Sequence, residues 1–293
     1  MTITAKIKIS PVKKKHMQPT RDYAAHSSLR PSWHRLALIC LALYCLASGT
    51  ASAAVAAPAA TAPLVLYDGA LGTMPDTQGF TFLAVPSVAP TISGGATILN
   101  TSSDKRIFAG YFSKPTAQLV LDRVIGYTIN FTVQVELEDH AASDKNKDGI
   151  EDRAGFSVIV LSSDKRGIEL GFWKERIWAQ EGGTGSKLFT QAEGVAFATQ
   201  SARRLYALVV QGDTYMLSSN GTPILSGNLR NYSAFNGFPD PYETPNLIFL
   251  GDDTSSAGAK IQLAYVAVGP IGSIGPSLHR KVYLPLQMSL RRS

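Results

Sequence analysis

The chain has 293 residues, 45% of them apolar, and a formal net charge of +6. That length holds one large β domain or two small ones with a sizeable core. The charge excludes a basic groove for nucleic acid: residues 1–35 carry eight Lys/Arg against one acid (Asp22), residues 271–293 carry four and no acid, and the part between is net acidic.

In chain order, residues 1–53 have the layout of a secretory signal behind a long N-terminal extension. Arg30 and Arg35 flank an apolar run from Leu36 to about Leu46, and Ala51-Ser52-Ala53 follows. This predicts cleavage after Ala53 and a secreted or cell-surface protein, with an uncleaved anchor as the alternative. The run is short of the roughly 20 residues that span a bilayer. Cys40 and Cys45 both lie inside it, so a mature chain would hold no disulfide and no thiolate metal site. Residues 54–63 read as an Ala/Pro linker.

From Leu64 the pattern is one of short strands. In "GYTINFTVQVELED", Tyr127, Ile129, Phe131, Val133, Val135 and Leu137 alternate with polar residues, the period of a half-buried strand. "TAQLVLDRV" (Thr116–Val124) fits a short helix or a strand equally well. "AGFSVIVLSS" reads as a strand buried on both faces. "GIELGFW" and "RIWAQ" predict two more, joined by a turn at Lys174-Glu175. Residues 203–227 predict three, with turns at Gly212-Asp213 and Asn220-Gly221, the latter a strong hairpin signal. "NLIFLGDD" and "KIQLAYVAVG" complete ten or more strands. Such spacing implies an all-β antiparallel sandwich or jelly roll.

"LYDGALGTMPDTQGF", "DKNKDGIEDRAGFSVIVLSSDKRGIELGFWKERIWAQ", "YALVVQGDTYMLSSNGTPILSG" and "FLGDDTSSAGAKIQLAYVAVG" resemble, in that order, bacterial secreted domains of the concanavalin A-like lectin/glucanase (laminin G-like) superfamily, and within it the choice-of-anchor Y group. The resemblance spans about Leu64–Gly269. It implies an exported jelly-roll β-sandwich and no settled activity.

Three groups of residues carry candidate chemistry. The first is "DKNKDGIEDR". Asp144, Asn146 and Asp148 occupy positions one, three and five of a calcium-loop pattern; Gly149 allows the sharp turn, Ile150 offers a carbonyl and Asp152 is ninth. Position twelve is Gly155 rather than a bidentate Glu, and no flanking helices are expected. The missing ligand would come from Glu138, Asp139 or Asp152. The competing reading is a solvated hairpin loop. The second is Glu136 and Glu138, two carboxylates on one strand face, as a glycosidase pair would need. Strand alternation alone accounts for both as outward-facing residues, and "VELED" departs from the E-x-D-x-x-E strand of laminarinase-type enzymes. The third is Trp173, Trp178, Tyr206 and Tyr215, rings able to cover a sugar's apolar face, though Trp in a sandwich is more often core. His140 and His279 are isolated, and "GGTGS" at 182–186 is simply a loop.

Residues 270–293 form a basic tail with too short an apolar run to cross a membrane. The expectation is a non-catalytic module binding glycan or extracellular matrix, with a structural calcium loop and membrane or envelope association through either terminus. A glycoside hydrolase or lyase of the same fold, and a purely structural surface protein, are the alternatives.

Overall fold

The structure, a computed structural model, describes residues 62–140, 144 and 146–273. These residues form fifteen strands: β1 Leu64–Asp68, β2 Phe80–Val85, β3 Thr91–Ser93, β4 Ala96–Asn100, β5 Phe108–Ser113, β6 Tyr127–His140, β7 Ser157–Leu161, β8 Gly167–Phe172, β9 Arg176–Gln180, β10 Gln191–Ala196, β11 Arg204–Gln211, β12 Thr214–Ser219, β13 Thr222–Asn228, β14 Leu247–Asp252 and β15 Ala257–Gly269. Two antiparallel sheets stack as a jelly-roll β-sandwich. The eight-stranded sheet runs β13-β12-β11-β6-β15-β4-β3, with β1 also pairing β15; the seven-stranded sheet runs β10-β9-β8-β7-β14-β5-β2. Among the described residues no helix is long and apolar enough to cross a membrane.

The main core lies between the sheets. Ile129, Phe131 and Val133 of β6 and Leu208 and Val210 of β11 meet Val158, Val160, Ile168, Leu170, Ile248 and Leu250 of the other sheet. A second apolar cluster covers the outer face of the seven-stranded sheet, where Ile159, Leu161 and Phe249 pack under Phe189, Tyr232 and Tyr242. With both faces covered, every residue of β7 is buried, which is why "SVIVL" is continuously apolar rather than alternating.

Asn220 and Gly221 both have positive φ (48° and 83°), as the tight hairpin between β12 and β13 requires. Thr116–Val124 is neither helix nor strand. It is an ordered loop with Leu119 and Leu121 buried, and the Leu121 N–H donates to Asn246 Oδ1 at 2.8 Å.

Candidate ligand-binding site

The site grows from the outer face of the seven-stranded sheet. In β8, Ile168 and Leu170 enter the main core, so Glu169 between them points outward. The chain after β9 and after β13 folds over it, and a buried polar network results. Arg153 donates through Nη2 to Asp253 Oδ2 at 3.0 Å and lies 3.7 Å from Glu169 Oε1. Tyr242 donates its phenol proton to Glu169 Oε2 at 2.5 Å and stands 3.5 Å from Asp253 Oδ2. The Arg153 guanidinium sits 4.9 Å from the centre of the Phe189 ring. Tyr232 accepts from the Glu169 N–H and donates to the Gln180 carbonyl, anchoring the covering segment to the sheet.

Burial decides the charges. It pushes Glu169 up to about 8, with the neighbouring Asp253 charge adding to the effect and Arg153 and Tyr242 opposing it. Asp252, buried and accepting from Thr101 Oγ1 at 2.6 Å, is raised well above the ordinary carboxylate range by the same loss of solvent. Burial also opposes the charge of Arg153, but Asp253 and Glu169 overcome it and hold the guanidinium protonated. Burial thus holds Glu169 toward its protonated form.

Above this network is a cavity of about 480 Å³, within the roughly 300–1,000 Å³ of small-molecule sites. Buried Arg153, Asp253 and Tyr242 line it together with Phe238, 88% exposed, and Ser255 and Ser256. Among the described residues, Arg153 Nη1 is buried without a hydrogen-bond partner, while the raised Glu169 carboxyl is in hydrogen-bond contact with Asp253.

The rings expected to stack on a ligand pack inside the protein instead. Trp178 and Tyr206 are fully buried, Tyr215 and Trp173 nearly so. Trp173 and Trp178 do meet, at 4.6 Å in edge contact with Ala154 beside them, but His140 covers Trp173 at 4.0 Å and Trp173 donates Nε1–H to the Arg153 carbonyl. Tyr206 lies stacked on Phe131 at 5.2 Å, and Tyr215 donates to Glu193 Oε1 at 2.7 Å. A ring closed off by protein has no free face for a sugar, whereas the Phe238 ring is exposed.

Glu136 and Glu138 do not share a face. A β-bulge between Lys260 and Ile261 of β15 sets Leu137 opposite Lys260 and Val135 opposite Ile261, leaving Glu136 as the extra residue. The strand phase flips there: Leu137 is 52% exposed and Glu138 is buried. Glu136 pairs with Lys260 at 2.8 Å and is lowered chiefly by that contact. Glu138 accepts from or shares a proton with His140 Nδ1 at 3.0 Å, and burial pushes it up to about 7 against that contact.

The acidic loop folds on itself. Asp144 accepts the N–H groups of Asp148 and Gly149 at 3.0 and 2.7 Å, and Asp148 accepts that of Ile150 at 2.8 Å. Lys147 and Gly149 adopt positive φ. Asp152 leaves the set: it is buried and its carboxylate accepts from the Gln191 N–H at 3.1 Å. The other candidates for the missing ligand are engaged too, Asp139 with Lys105 and Glu138 with His140. Among the described residues no group of three His, Cys, Asp or Glu side chains is placed to hold a metal ion.

Sequence reasoning passed over Arg153, Glu169, Tyr242, Asp253 and Phe238. One signal was legible: Glu169 is the single charge in the strand "GIELGF", all of whose residues are buried. Acids do not occur in doubly covered strands without a partner.

No protein-family model matches the chain, and no curated protein does. It is similar to several solved structures. A carbohydrate esterase from the Shiga toxin-encoding bacteriophage phi24B shares 9% identity and a TM-score of 0.49, over 71% of this chain and 97% of that one. The exoplasmic/lumenal domain of VIP36, in a Ca2+/mannose-bound form, shares 10% identity and a TM-score of 0.41, over 73% and 92%. An alginate lyase of polysaccharide lyase family 7 shares 12% identity and a TM-score of 0.38, over 63% and 84%.

Proposed function

We propose that the protein is an exported, non-catalytic β-sandwich module that binds glycan or matrix outside the cell, through the cavity on the outer face of its seven-stranded sheet. The observation that carries this is one cavity of about 480 Å³ lined by the charged side chains of Arg153 and Asp253 and by the exposed ring of Phe238. A sugar presents the matching surfaces, hydroxyl edges and an apolar C–H face. The layout of residues 30–53 supports export. A glycan array probed with the secreted protein tests the reading: binding that Phe238→Ala abolishes is expected, and an array with no binding refutes it.

Calcium on the acidic loop belongs to the same proposal. Asp144, Asn146 and Asp148 with the Ile150 carbonyl would hold it, and Gly149 supplies the turn. Their pattern fits a hard cation that takes oxygen ligands, but with Asp152 held elsewhere water must fill several of the six to eight positions, so binding is weak. The ion would stiffen the connection between β6 and β7 and do no chemistry.

One observation favours a second reading, a glycoside hydrolase or lyase: Glu169 is held as an acid beside the Asp253 carboxylate. Its complete burial keeps it off the cavity lining, which favours binding. Loss of a polysaccharide-cleaving activity by orders of magnitude in Glu169→Gln would reverse that choice.

A further inference from the structure

An apolar patch lies at the end of the eight-stranded sheet where β6 begins and β15 finishes. The turn Asp122–Gly126 is held by its own hydrogen bonds. Asp122 Oδ1 accepts the N–H groups of Val124 and Ile125 at 2.8 and 3.3 Å, and Gly126, at positive φ, donates its N–H to the Asp122 carbonyl at 2.8 Å. Arg123 ties the turn to the hairpin between β11 and β12, donating to the Gly212 carbonyl at 3.1 Å while its own carbonyl accepts the Gly212 N–H at 2.7 Å. So fixed, the turn holds Val124 and Ile125 in solvent, 76% and 77% exposed. Ile271, also exposed, lies so close to Gly126 that a Cβ there has no room. Val209 and Met216 pair across β11 and β12 on the face opposite core Leu208 and Leu217, and both line a depression of about 410 Å³. Clustered exposed aliphatic side chains mark a surface that something covers.

Charge and chain path say what covers it. Three carboxylates surround the one guanidinium of Arg123: Asp164 at 2.8 Å, Asp213 at 2.7 Å, and Asp122. The described chain reaches Ser273 on the same sheet, where the Ser273 carbonyl accepts from Asn130 Nδ2 at 3.0 Å, and Asn130 faces away from the core that its neighbours Ile129 and Phe131 enter. β6 stands two strands from β12, about 10 Å. In the sequence that follows, Val282, Leu284, Leu286, Met288 and Leu290 alternate with Tyr283, Pro285, Gln287 and Ser289, the row of apolar side chains that an extended segment turns to one side. His279, Arg280 and Lys281 precede the row, Arg291 and Arg292 follow it, and no acid occurs. Residues 274–281 span up to about 28 Å when extended, more than the distance to be crossed. We infer that the segment Arg280–Arg292 docks in extended form over this patch of its own chain, with its apolar row against Val124, Ile125, Val209, Met216 and Ile271 and its flanking cations beside Asp122, Asp164 and Asp213. The patch is then a seat for a cationic, alternating segment, and it is freed when that segment is withdrawn. It lies on the sheet opposite the ligand cavity, so it stands or falls apart from the glycan reading.

Beyond Cys45 the sequence holds no cysteine, so a pair introduced into the secreted full chain reports on itself. Ile125→Cys is combined in turn with Leu284→Cys, Leu286→Cys and Met288→Cys and treated with oxidised glutathione at low protein concentration. At least one pair should close within a single chain about tenfold faster than the same tail cysteine combined with Asn236→Cys, an exposed position on the segment covering the other sheet. Trypsin gives a second reading. Val124→Asp with Ile125→Asp, on exposed side chains, and separately Leu284→Asp with Leu286→Asp, should each speed cleavage after Arg280 and Lys281 about tenfold, since cleavage tracks the undocked population. Equal closure at Ile125 and Asn236, with cleavage unchanged by either pair of aspartates, would overturn the docking. Disulfides joining two chains would assign the patch to a second copy, and protection of Arg280 and Lys281 seen only with phosphatidylglycerol vesicles would assign the segment to a lipid surface. Either result overturns the inference and leaves the glycan reading standing.

Discussion

Arg153 and Asp253 are joined at 3.0 Å although 100 residues separate them in the chain. The bond ties the end of the acidic loop to the turn after β14. With Glu169 and Tyr242 it holds the covering segment on the outer face of the seven-stranded sheet.

The pair is buried, so breaking it on one side is costlier than removing both charges. Asp253→Ala leaves Arg153 charged and uncompensated, and a loss of roughly 3–5 kcal/mol is expected. Arg153→Met with Asp253→Leu should recover most of that stability. Chemical denaturation of the single and double variants checks this, and a double-variant loss equal to the sum of the two single losses would mean the pair is not coupled.

Stability should fall as pH rises from about 5 to about 8. Glu169 and Glu138 are raised in the folded protein to about 8 and about 7, from an unfolded value near 4.3. A folded state that keeps a proton the unfolded chain releases is favoured fully below the unfolded pKa. The advantage is lost as pH climbs to the folded pKa, at about 1.4 kcal/mol per pH unit for each group. Melting temperatures across pH 5 to 8.5 measure it. Glu138→Gln should flatten the slope up to about pH 7, and Glu169→Gln should flatten it further, up to about pH 8; a wild-type melting temperature that rises over this range contradicts the assignment.

Calcium should raise the melting temperature by a few degrees at millimolar concentration, on the order of 1 kcal/mol for a weak exposed site. Asp144→Ala with Asp148→Ala should remove the response. Identical melting in calcium and in chelator for the wild type would mean that the loop is held by its own N–H contacts alone.

Export places a further constraint. Residues 1–61 lie outside the described residues. Cleavage after Ala53 should give a mature chain beginning at Ala54, since Ala51-Ser52-Ala53 follows the apolar run at signal-peptidase spacing. N-terminal sequencing of protein from the medium decides it, and a chain that still begins at Met1 would show an uncleaved segment.

What the sequence by itself determined is the set of local choices. Alternation from Tyr127 to Val135 specifies a half-buried strand, the continuous "SVIVL" a doubly covered one, and Asn220-Gly221 a tight hairpin, because side-chain period and backbone φ are properties of adjacent residues. From these an all-β sandwich follows. What only the tertiary structure decided is whatever depends on a partner strand or a covering loop. The bulge opposite Lys260 and Ile261 reverses the faces of Leu137 and Glu138, and no pattern within β6 announces it. Trp178 is buried rather than presented, although it lies on the outer face of its sheet. Tyr242, 73 residues beyond Glu169, comes to rest on that carboxylate, and Asp253 comes to rest on Arg153. The register of distant strands and the path of the covering segments are set by the sum of many burials across the whole domain, so the cavity comes into being only when those segments close over the sheet.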